Sequence, residues 1–448
     1  MEAPPGEERG VERAPTRVAL AGRQVSDPPT WSLLRAVEMP RFAWATGEET
    51  VVAGGAAETI ATAGPDRLAT VRSAADLLLA DPRVPEAVPA AARPRLFGGV
   101  AFHDEHTAAG AAGPWSGFPG ACFVLPAVQL TVTEDGAWLT TAATGEGART
   151  AAEERLAAWR ERLSSLQTAG PPEPPGISDR RPTPPKAEWD EQVRAAVESV
   201  RDGTLRKVVL AQALQVDLDG DLDVPATLDR LGERDPECYR FCVQPDGGDT
   251  FFGATPERLV GLEGRTVRTA ALAGSTGRGV TPEEDAWLAE QLRTSEKDAQ
   301  EHRLVVEAIR DQLGRVADHV RTGDRTVRSL ATVQHLRTPI TATLTTDAHV
   351  LSLVDALHPT PAVGGLPPEE AIRTIRETET FDRGWYAAPV GWFDAAGDGT
   401  FAVGIRSAVA GDRRATLFAG DGIVADSDPD AEWDELQLKY RPILDELA

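Results

Sequence analysis

The sequence predicts an α+β protein of 448 residues. Three observations predict this class. Short β-branched runs recur between Gly and Asp turns, and a long stretch in the second half has almost no Gly or Pro. The hydrophobic content of 41% is enough for a sizeable core. The length fits one large domain or two to three ordinary ones.

The N-terminal part is predicted to be rich in strands. The first thirty residues contain Pro, Gly, Glu and Arg without an apolar segment, which predicts a flexible N-terminus and no signal peptide. Residues 31–168 then form the strand-rich N-terminal half, with strand-like runs such as 121–132. Its end, residues 151–166, has large apolar residues at helical spacing.

A proline-rich segment follows. Residues 169–186 contain seven prolines, so the segment cannot be a regular helix or a central strand. We expect a semi-rigid connector to a C-terminal region spanning residues 187–448. The two parts either fold separately or share one core, and the pattern allows both.

The C-terminal region combines apolar strands with long helices. The run KVVLAQALQV is typical of a buried strand, and Asp398-Gly399 is typical of a hairpin turn. The stretch from 281 to 320 has one glycine and one proline and is the longest helical signal in the chain. The predicted elements are a helix at 188–201, strands at 207–216, 250–254, 257–262, 400–409 and 415–418, and a last helix at about 430–444.

Charge and composition exclude several classes of function. A net charge of −24 argues against nucleic acid or an anionic membrane as a partner. No apolar run approaches the ~20 residues of a membrane span, so we expect a cytoplasmic protein. Three cysteines cannot build a disulfide framework and are expected to be buried thiols.

Lysine is rare in this chain, with only Lys186, Lys207, Lys297 and Lys439 among 46 basic residues. A desolvated lysine amine can lose its proton, whereas arginine effectively cannot. Lys207 opens an apolar strand and is a candidate general base, although a strand-end lysine that reaches solvent has the same pattern. A codon bias against lysine, with four lysines kept by chance, would also explain this composition.

Glu257 ends a turn, FFGATPE, between apolar strands. A carboxylic acid that is desolvated there would have a raised pKa and could donate a proton. An exposed turn glutamate would have the same sequence pattern.

Two pairs of acidic residues have helical i,i+3 spacing, so each pair shares one helix face. Asp298 and Glu301 lie on the long helical stretch, and Glu432 and Glu435 lie on the last helix. If these faces met, their oxygens would suit Mg²⁺. With 70 acidic residues, solvated helix faces are the more common origin of such pairs.

Other candidate residues would bind an anion. Arg406, in GIRSA, is predicted to lie in mid-strand between apolar residues, where an inward-facing arginine needs an anionic partner. The segments Ala273-Gly274-Ser275 and Gly420-Asp421-Gly422 could offer backbone N–H groups to a carboxylate, although such turns are common.

The order of these motifs resembles the chorismate-utilising enzymes, which include isochorismate synthases, salicylate synthases and the large subunits of anthranilate and aminodeoxychorismate synthases. The resemblance spans about 230 residues closely and most of the chain loosely. It implies an α/β sandwich of large, mostly antiparallel sheets flanked by helices. The segments that carry it are KVVLA, FFGATPE, LAGS, SEKDAQEH, VQHL, HPTPAVGG, ETFDRGWYAAPVGW, GIRSA and AGDGIVADSDPDAEWDE.

The resemblance implies a role for each matching residue. Lys207 matches the base that activates water for attack at C2 of chorismate, and Glu257 matches the acid that protonates the departing C4 hydroxyl. Glu301 and Glu435 match direct Mg²⁺ ligands, and Asp298 and Glu432 match acids that support the ion through water. The residues that match substrate contacts are Tyr386 and Arg406 at the enolpyruvyl carboxylate, and Gly274, Ser275, His335, Ala362, Gly420, Gly422 and Lys439 around the pocket.

Within the family, single positions favour isochorismate as the product. Members that use ammonia have Gln where this chain has Lys207, and the aminodeoxychorismate type has a nucleophilic lysine where Ala273 stands. Ala362 is small, as in isochorismate synthases, whereas salicylate synthases have a hydroxyl residue there. The alternatives are a salicylate synthase, an isochorismate synthase of a siderophore pathway instead of menaquinone biosynthesis, and a catalytically weakened chorismate-binding homologue.

Two positions depart from the family pattern. Gln212 stands where the KVVLA segment usually continues with Arg, and Asp421 stands where the glycine loop usually has Ala. Asp421 places a carboxylate beside a loop meant for an anion, so it either points outward or weakens substrate binding. The resemblance also implies a monomer.

Overall fold

The computed structural model describes residues 17–106, 113–167 and 172–448. Within these ranges there are twenty strands and ten α-helices. The strands are β1 Val18–Val25, β2 Arg41–Ala45, β3 Glu49–Thr62, β4 Arg95–Val100, β5 Ala121–Thr133, β6 Gly136–Thr144, β7 Ile177–Thr183, β8 Lys207–Leu218, β9 Tyr239–Gln244, β10 Thr250–Thr255, β11 Arg258–Glu263, β12 Thr266–Gly277, β13 Ala317–Thr322, β14 Thr326–Ser329, β15 Val333–Leu344, β16 Gly365–Leu366, β17 Pro389–Asp394, β18 Gly399–Val403, β19 Ser407–Gly411 and β20 Arg414–Ile423. The helices are α1 Thr30–Ala36, α2 Arg67–Leu78, α3 Ala148–Ser165, α4 Lys186–Arg201, α5 Val224–Arg234, α6 Pro282–Thr294, α7 Glu296–Leu313, α8 Val350–Leu357, α9 Pro368–Thr378 and α10 Pro429–Leu444.

The strands pair in two long runs, and all named strand pairs in the described ranges are antiparallel. One run follows the order β7, β8, β20, β19, β10, β9, β2, β3 and β5. The other follows β4, β17, β18, β11, β12 and β15, and β15 also pairs with β13 and β14. Strand β5 joins the runs, because it pairs with β3 along one edge and with β4 and β6 along the other. This confirms the α+β class with large, mostly antiparallel sheets.

The N-terminal and C-terminal parts share one core. Strand β2 pairs with β9 and β4 pairs with β17, so the ladders of the two parts are continuous. One cluster of buried apolar side chains contains residues of both parts, such as Phe123 on β5, which packs on Phe393 and Phe401. Of the two arrangements that the sequence allowed, the shared core is the one observed.

The flexible N-terminus expected over residues 1–30 is wrong in part. Residues 1–16 lie outside the described residues, but β1 begins at Val18 and pairs with β6 over its whole length. Val18 and Ala19 are buried, and the burial of these apolar side chains stabilises the strand. The expectation of flexibility rested on the polar residues that precede them.

The proline-rich connector also contains a strand. Residues 169–171 lie outside the described ranges, and β7 begins at Ile177. It pairs with β8 alone, as an edge strand, where a proline costs no ladder hydrogen bond on the open side. The helical signal at 281–320 likewise divides, because Ser295 ends α6 and its side chain caps α7 by accepting from the Asp298 backbone N–H at 3.2 Å.

The helices of the described ranges lack the combination of length and apolar character that a membrane crossing requires. Helices α7 and α10 pack on β12 and β20, respectively, and their first turns approach the region where the two strand runs meet. The three cysteines are free thiols, with Cys238 and Cys242 buried and Cys122 half-buried.

Candidate active site

One cavity lies between the two strand runs, closed by the N-terminal ends of α7 and α10. All fifteen residues singled out from the sequence line it. They come from parts of the chain that are more than 200 residues apart, and only the fold brings them together. The residues are Lys207, Glu257, Gly274, Ser275, Asp298, Glu301, His335, Ala362, Tyr386, Arg406, Gly420, Gly422, Glu432, Glu435 and Lys439.

Lys207 is the first residue of β8 and is buried, with a side chain only 2% exposed. Its Nζ donates to Glu301 Oε1 at 2.7 Å, across the cavity from β8 to α7. A lysine that reaches solvent, the alternative from the sequence pattern, is therefore wrong. The Lys207 amine is buried and hydrogen-bonded to one carboxylate, so a change in the charge or position of Glu301 changes the hydrogen bonding of Lys207.

Glu257 lies in the two-residue link between β10 and β11 and is 5% exposed, so it is not an exposed turn glutamate. Burial raises the pKa of its carboxyl to about 7, although the charges of Lys207 and Arg406 favour the ionised form. Near neutral pH a substantial fraction of Glu257 is thus protonated. This is the state a proton donor needs.

The acidic pairs of α7 and α10 face the same cavity, as the shared helix faces predict. Asp298 and Glu432 lie in the first turns of their helices, where the positive end of the helix dipole favours carboxylates. Burial, together with the charges of nearby acids, nevertheless raises the pKa of both Asp298 and Glu432. Glu301 and Glu435 lie one turn further along the same faces.

Asp421 does not point outward. It is buried on β20, and its Oδ1 accepts from Lys439 Nζ at 2.9 Å. Lys439 also contacts Glu435 Oε1 at 2.8 Å. Asp421, Glu432 and Glu435 place carboxylate oxygens within 4.8 Å of one another, which makes them the tightest acidic group of the described residues. This group differs from the four acids inferred from the sequence, because it contains Asp421 in place of Asp298 and Glu301.

The charges around the acids suit a divalent cation. The carboxyl groups in this part of the cavity outnumber the ammonium groups of Lys207, Lys297 and Lys439. The five acids are Asp298, Glu301, Asp421, Glu432 and Glu435. Buried negative charge without a partner is costly. In addition, Asp421 Oδ2 is buried without a hydrogen-bond partner among the described residues. An all-oxygen donor set of this kind fits Mg²⁺.

Arg406 lies opposite the acids and is 6% exposed. It is not in mid-strand, because β18 ends at Val403 and Arg406 adopts a left-handed backbone conformation with φ 51° before β19 begins. Its Nη2 donates to His335 Nε2 at 3.3 Å, while its Nε is buried without a partner among the described residues. An arginine with an unused buried donor is prepared to bind an anion.

His335 and Tyr386 complete this end of the cavity. Burial and the charge of Arg406 hold the pKa of His335 well below its usual range, so the ring is neutral. Since Nε2 accepts from Arg406, Nδ1 carries the proton towards Ser275 Oγ at 3.0 Å. Burial raises the pKa of Tyr386 to about 12, which keeps its hydroxyl as a donor.

Two glycines keep the cavity open. A Cβ on Gly422 would lie 2.6 Å from Lys207 Cε, and one on Gly420 would lie 3.0 Å from the Tyr386 hydroxyl. Any larger residue at these positions would fill space beside the Lys207 amine and the Tyr386 hydroxyl.

The sequence did not single out two charged residues that line the cavity, Arg383 and Lys297. Arg383, with a side chain 1% exposed, pairs with Glu379 and donates to the Val363 and Val209 carbonyls at 2.9 and 2.8 Å. Its place in the conspicuous ETFDRGW segment, four residues after Glu379, was the available signal. Lys297 Nζ lies 3.8 Å from Glu432 Oε1, and the signal for this residue was the rarity of lysine in the chain.

Gln212, by contrast, has a structural role away from the cavity. It is fully buried, its Nε2 donates to the Pro184 carbonyl at 2.8 Å, and the Tyr440 hydroxyl donates to the Gln212 backbone carbonyl at 2.9 Å. This departure from the family pattern therefore leaves the lining of the cavity unchanged.

The sequence profile of the chorismate binding enzymes matches residues 20–448. The chain belongs to this family. The isochorismate synthase MenF of Bacillus subtilis is 37% identical over 359 residues, which cover 79% of this chain and 75% of the relative. A salicylate biosynthesis isochorismate synthase of Pseudomonas aeruginosa is 37% identical over 428 residues, covering 92% and 85% of the two chains.

Two solved structures have the same architecture. The menaquinone-specific isochorismate synthase MenF of Escherichia coli matches with a TM-score of 0.80 and 25% identity, over 96% of this chain and 95% of that chain. Anthranilate synthase component I of Streptococcus pneumoniae matches with a TM-score of 0.72 at 23% identity, covering 88% and 92%. The second likeness concerns the fold alone.

Proposed function

We propose that this chorismate-binding enzyme is an isochorismate synthase, which converts chorismate to isochorismate with Mg²⁺. The observation that carries the proposal is the meeting of a buried lysine, a buried acid of raised pKa and an unpaired arginine donor with a group of acidic residues in one cavity. The similarity to isochorismate synthases over most of the chain supports it.

In the proposed reaction, Lys207 and Glu257 each transfer one proton. Lys207 accepts a proton from a water molecule whose oxygen bonds to C2 of chorismate. The ring double bonds shift, the C4–O bond breaks, and Glu257 protonates the departing hydroxyl, which leaves as water. Because Nζ donates to Glu301 at 2.7 Å, Lys207 can act as the base only after it has released that proton to solvent and separated from Glu301.

Magnesium would be held by Glu301 and Glu435, with Asp298 and Glu432 supporting it through water. Asp421 belongs to the same acidic group and is a further candidate ligand. When bound, the ion supplies positive charge that neutralises the ring carboxylate of the substrate.

The second carboxylate, on the enolpyruvyl group, is assigned to Arg406 and Tyr386. Arg406 has an unused Nε donor, and the neutral Tyr386 has a hydroxyl to donate. We assign Gly274, Ser275, His335, Ala362, Gly420, Gly422 and Lys439 to the remaining wall of the substrate pocket.

Ion pairs across the cavity narrow it. It encloses about 100 Å³, less than the roughly 300–1,000 Å³ of typical small-molecule sites. The pairs Lys207–Glu301 and Lys439–Asp421 close the space that a ring would fill. Substrate binding therefore requires these side chains to move apart, and a cation that attracts the carboxylates favours that movement.

Product identification tests the proposal. Purified protein, chorismate and Mg²⁺ should give isochorismate, and Lys207→Ala should lower kcat by about 10²–10⁴-fold. Lys186→Ala is the matched control, because Lys186 lies outside the cavity and pairs with Asp190 and Asp430 on the surface. Unchanged turnover in Lys207→Ala would overturn the assignment of the base.

The same assay separates the alternatives. Salicylate with stoichiometric pyruvate would show a salicylate synthase, and tight chorismate binding without turnover would show a weakened homologue. We further propose menaquinone biosynthesis as the destination of the product, supported by the likeness to MenF proteins. A strain that lacks the gene should lose menaquinone, whereas loss of a catechol siderophore alone would favour the other pathway.

A further inference from the structure

A second cleft, of about 500 Å³, lies outside the active-site cavity between β11, β12, β14 and β15. Three arginines line it: Arg258, Arg328 and Arg337. Among the described residues, the only acidic side chain in its lining is that of Glu237. The protein has a net charge of −24, whereas this cleft has an excess of positive charge.

Strand pairing places two of the arginines on the same face of the sheet. Arg328 on β14 lies opposite His335 on β15, and Arg337 lies two residues beyond His335. Cross-strand partners and residues two apart share a face, so the Arg328 and Arg337 side chains project together. Arg258 on β11 approaches them across the cleft, held by a hydrogen bond to the Tyr239 hydroxyl.

The donors of this arginine group are only partly used. Arg328 is fixed by the carbonyls of Pro256 at 2.8 Å and Glu237 at 2.9 Å, but its Nε is buried without a hydrogen-bond partner in the described part of the chain. The side chain of Arg337 forms no hydrogen bond or ion pair with any described residue. Arg337 thus has free donors beside the cleft, and Arg328 is held next to it by its two carbonyl contacts.

The positive charge of the cleft has little compensation. The Glu237 side chain is 83% exposed and lies 3.8 Å from Arg328, so water screens its charge. Burial, and then the neighbouring positive charges of Arg328 and Arg258, lower the pKa of Arg337. An anion between these arginines would offset their positive charges and use the free donors.

We propose that this cleft binds a small anion with two or more oxygens, a phosphate or a dicarboxylate, between Arg258, Arg328 and Arg337. Guanidinium forks match both chemical groups in bidentate geometry. Pro256 lines the cleft and the active-site cavity alike, and Arg328 holds its carbonyl one residue before Glu257. The anion would therefore bind directly behind the segment that carries the proposed acid.

Calorimetric titration of the full, metal-free chain with inorganic phosphate and, separately, with malonate tests the proposal without turnover. We expect one site per chain for at least one of them, and the tighter binder identifies the class of anion. Arg337→Gln should weaken binding about tenfold or more, since it removes a charge-assisted contact. Arg268→Gln, in the same sheet but paired with Glu263 outside the cleft, should leave binding unchanged.

Arg406 is the competing anion site, so the titration is repeated with Arg406→Gln. Binding that survives in Arg406→Gln and is lost in Arg337→Gln supports the cleft. Binding that is lost in Arg406→Gln and kept in Arg337→Gln would place the anion in the active site and overturn the proposal. Absence of binding by both anions would overturn it as well. None of these outcomes depends on whether the protein turns over chorismate.

Discussion

Replacing Glu257 by glutamine should both stabilise the protein at alkaline pH and impair its activity. The two effects have one cause, the burial that raises the pKa of this carboxyl from the ordinary 4.5 to about 7. Below about pH 4.5 the acid is protonated in the folded and unfolded states, and it costs no stability. Between the two pKa values only the unfolded state loses the proton, so stability falls as pH rises.

The size of the effect follows from the distance between the two pKa values. The rise from 4.5 to about 7 corresponds to about 3 kcal/mol of unfolding free energy, which is lost by pH 8. At pH 5 the loss is less than about 1 kcal/mol, because titration of the unfolded state has just begun. The amide introduced by Glu257→Gln cannot titrate, so the advantage of the variant over the wild type should grow by about 2–3 kcal/mol from pH 5 to pH 8.

Urea unfolding monitored by tryptophan fluorescence at both pH values measures this difference, since the ten tryptophans of the chain report on its fold. Glu263→Gln, at a position 77% exposed on the same strand as Arg258, is the matched control and should show no such dependence. A change of less than about 0.5 kcal/mol between pH 5 and pH 8 would refute the reasoning. In the activity assay, Glu257→Gln should lose about 10²–10⁴-fold in kcat, and the wild type should lose activity above pH 7.

Three further variants test other parts of the site. Asp421→Ala removes one of the two carboxylates that hold Lys439 and should lower KM for chorismate about tenfold in saturating Mg²⁺, so an unchanged or higher KM would contradict the view that Asp421 weakens substrate binding. Glu435→Gln removes a proposed ligand and should weaken Mg²⁺ binding about 10- to 100-fold in calorimetry without chorismate, whereas equal affinity would exclude that ligand. Glu379→Ala leaves the guanidinium of Arg383 buried without its partner and should cost about 3–5 kcal/mol of unfolding free energy, which denaturant unfolding checks.

Much of the fold could be predicted from local signals. The apolar run of β8 and the hairpin turn before β18 depend on neighbouring residues only, and both are present in the structure. The errors lie where distant contacts override local composition. Strand β1 forms within a segment predicted to be flexible because β6 offers it a full partner, and β7 forms among prolines because it needs partners along one edge alone.

The active site was predictable as a set of residues and unpredictable as an arrangement. Motif order identified fifteen of the residues that line the cavity, yet no single pattern distinguished a buried Glu257 from an exposed one. Burial is a property of the whole fold, and the raised pKa of Glu257 follows from it. The direction of Asp421 was equally open, since its pairing with Lys439 joins a strand to a helix 18 residues later.

The sequence by itself determined the family, the chemical types present and the helix faces that carry the paired acids, because these depend on residue identity and spacing. The tertiary structure alone decided which charges are buried together and which remain uncompensated. The site contains five carboxylates, three lysines and an arginine with a free donor. These groups interact strongly because their surroundings have a low dielectric constant. Those surroundings exist only once the two runs of strands close over the site.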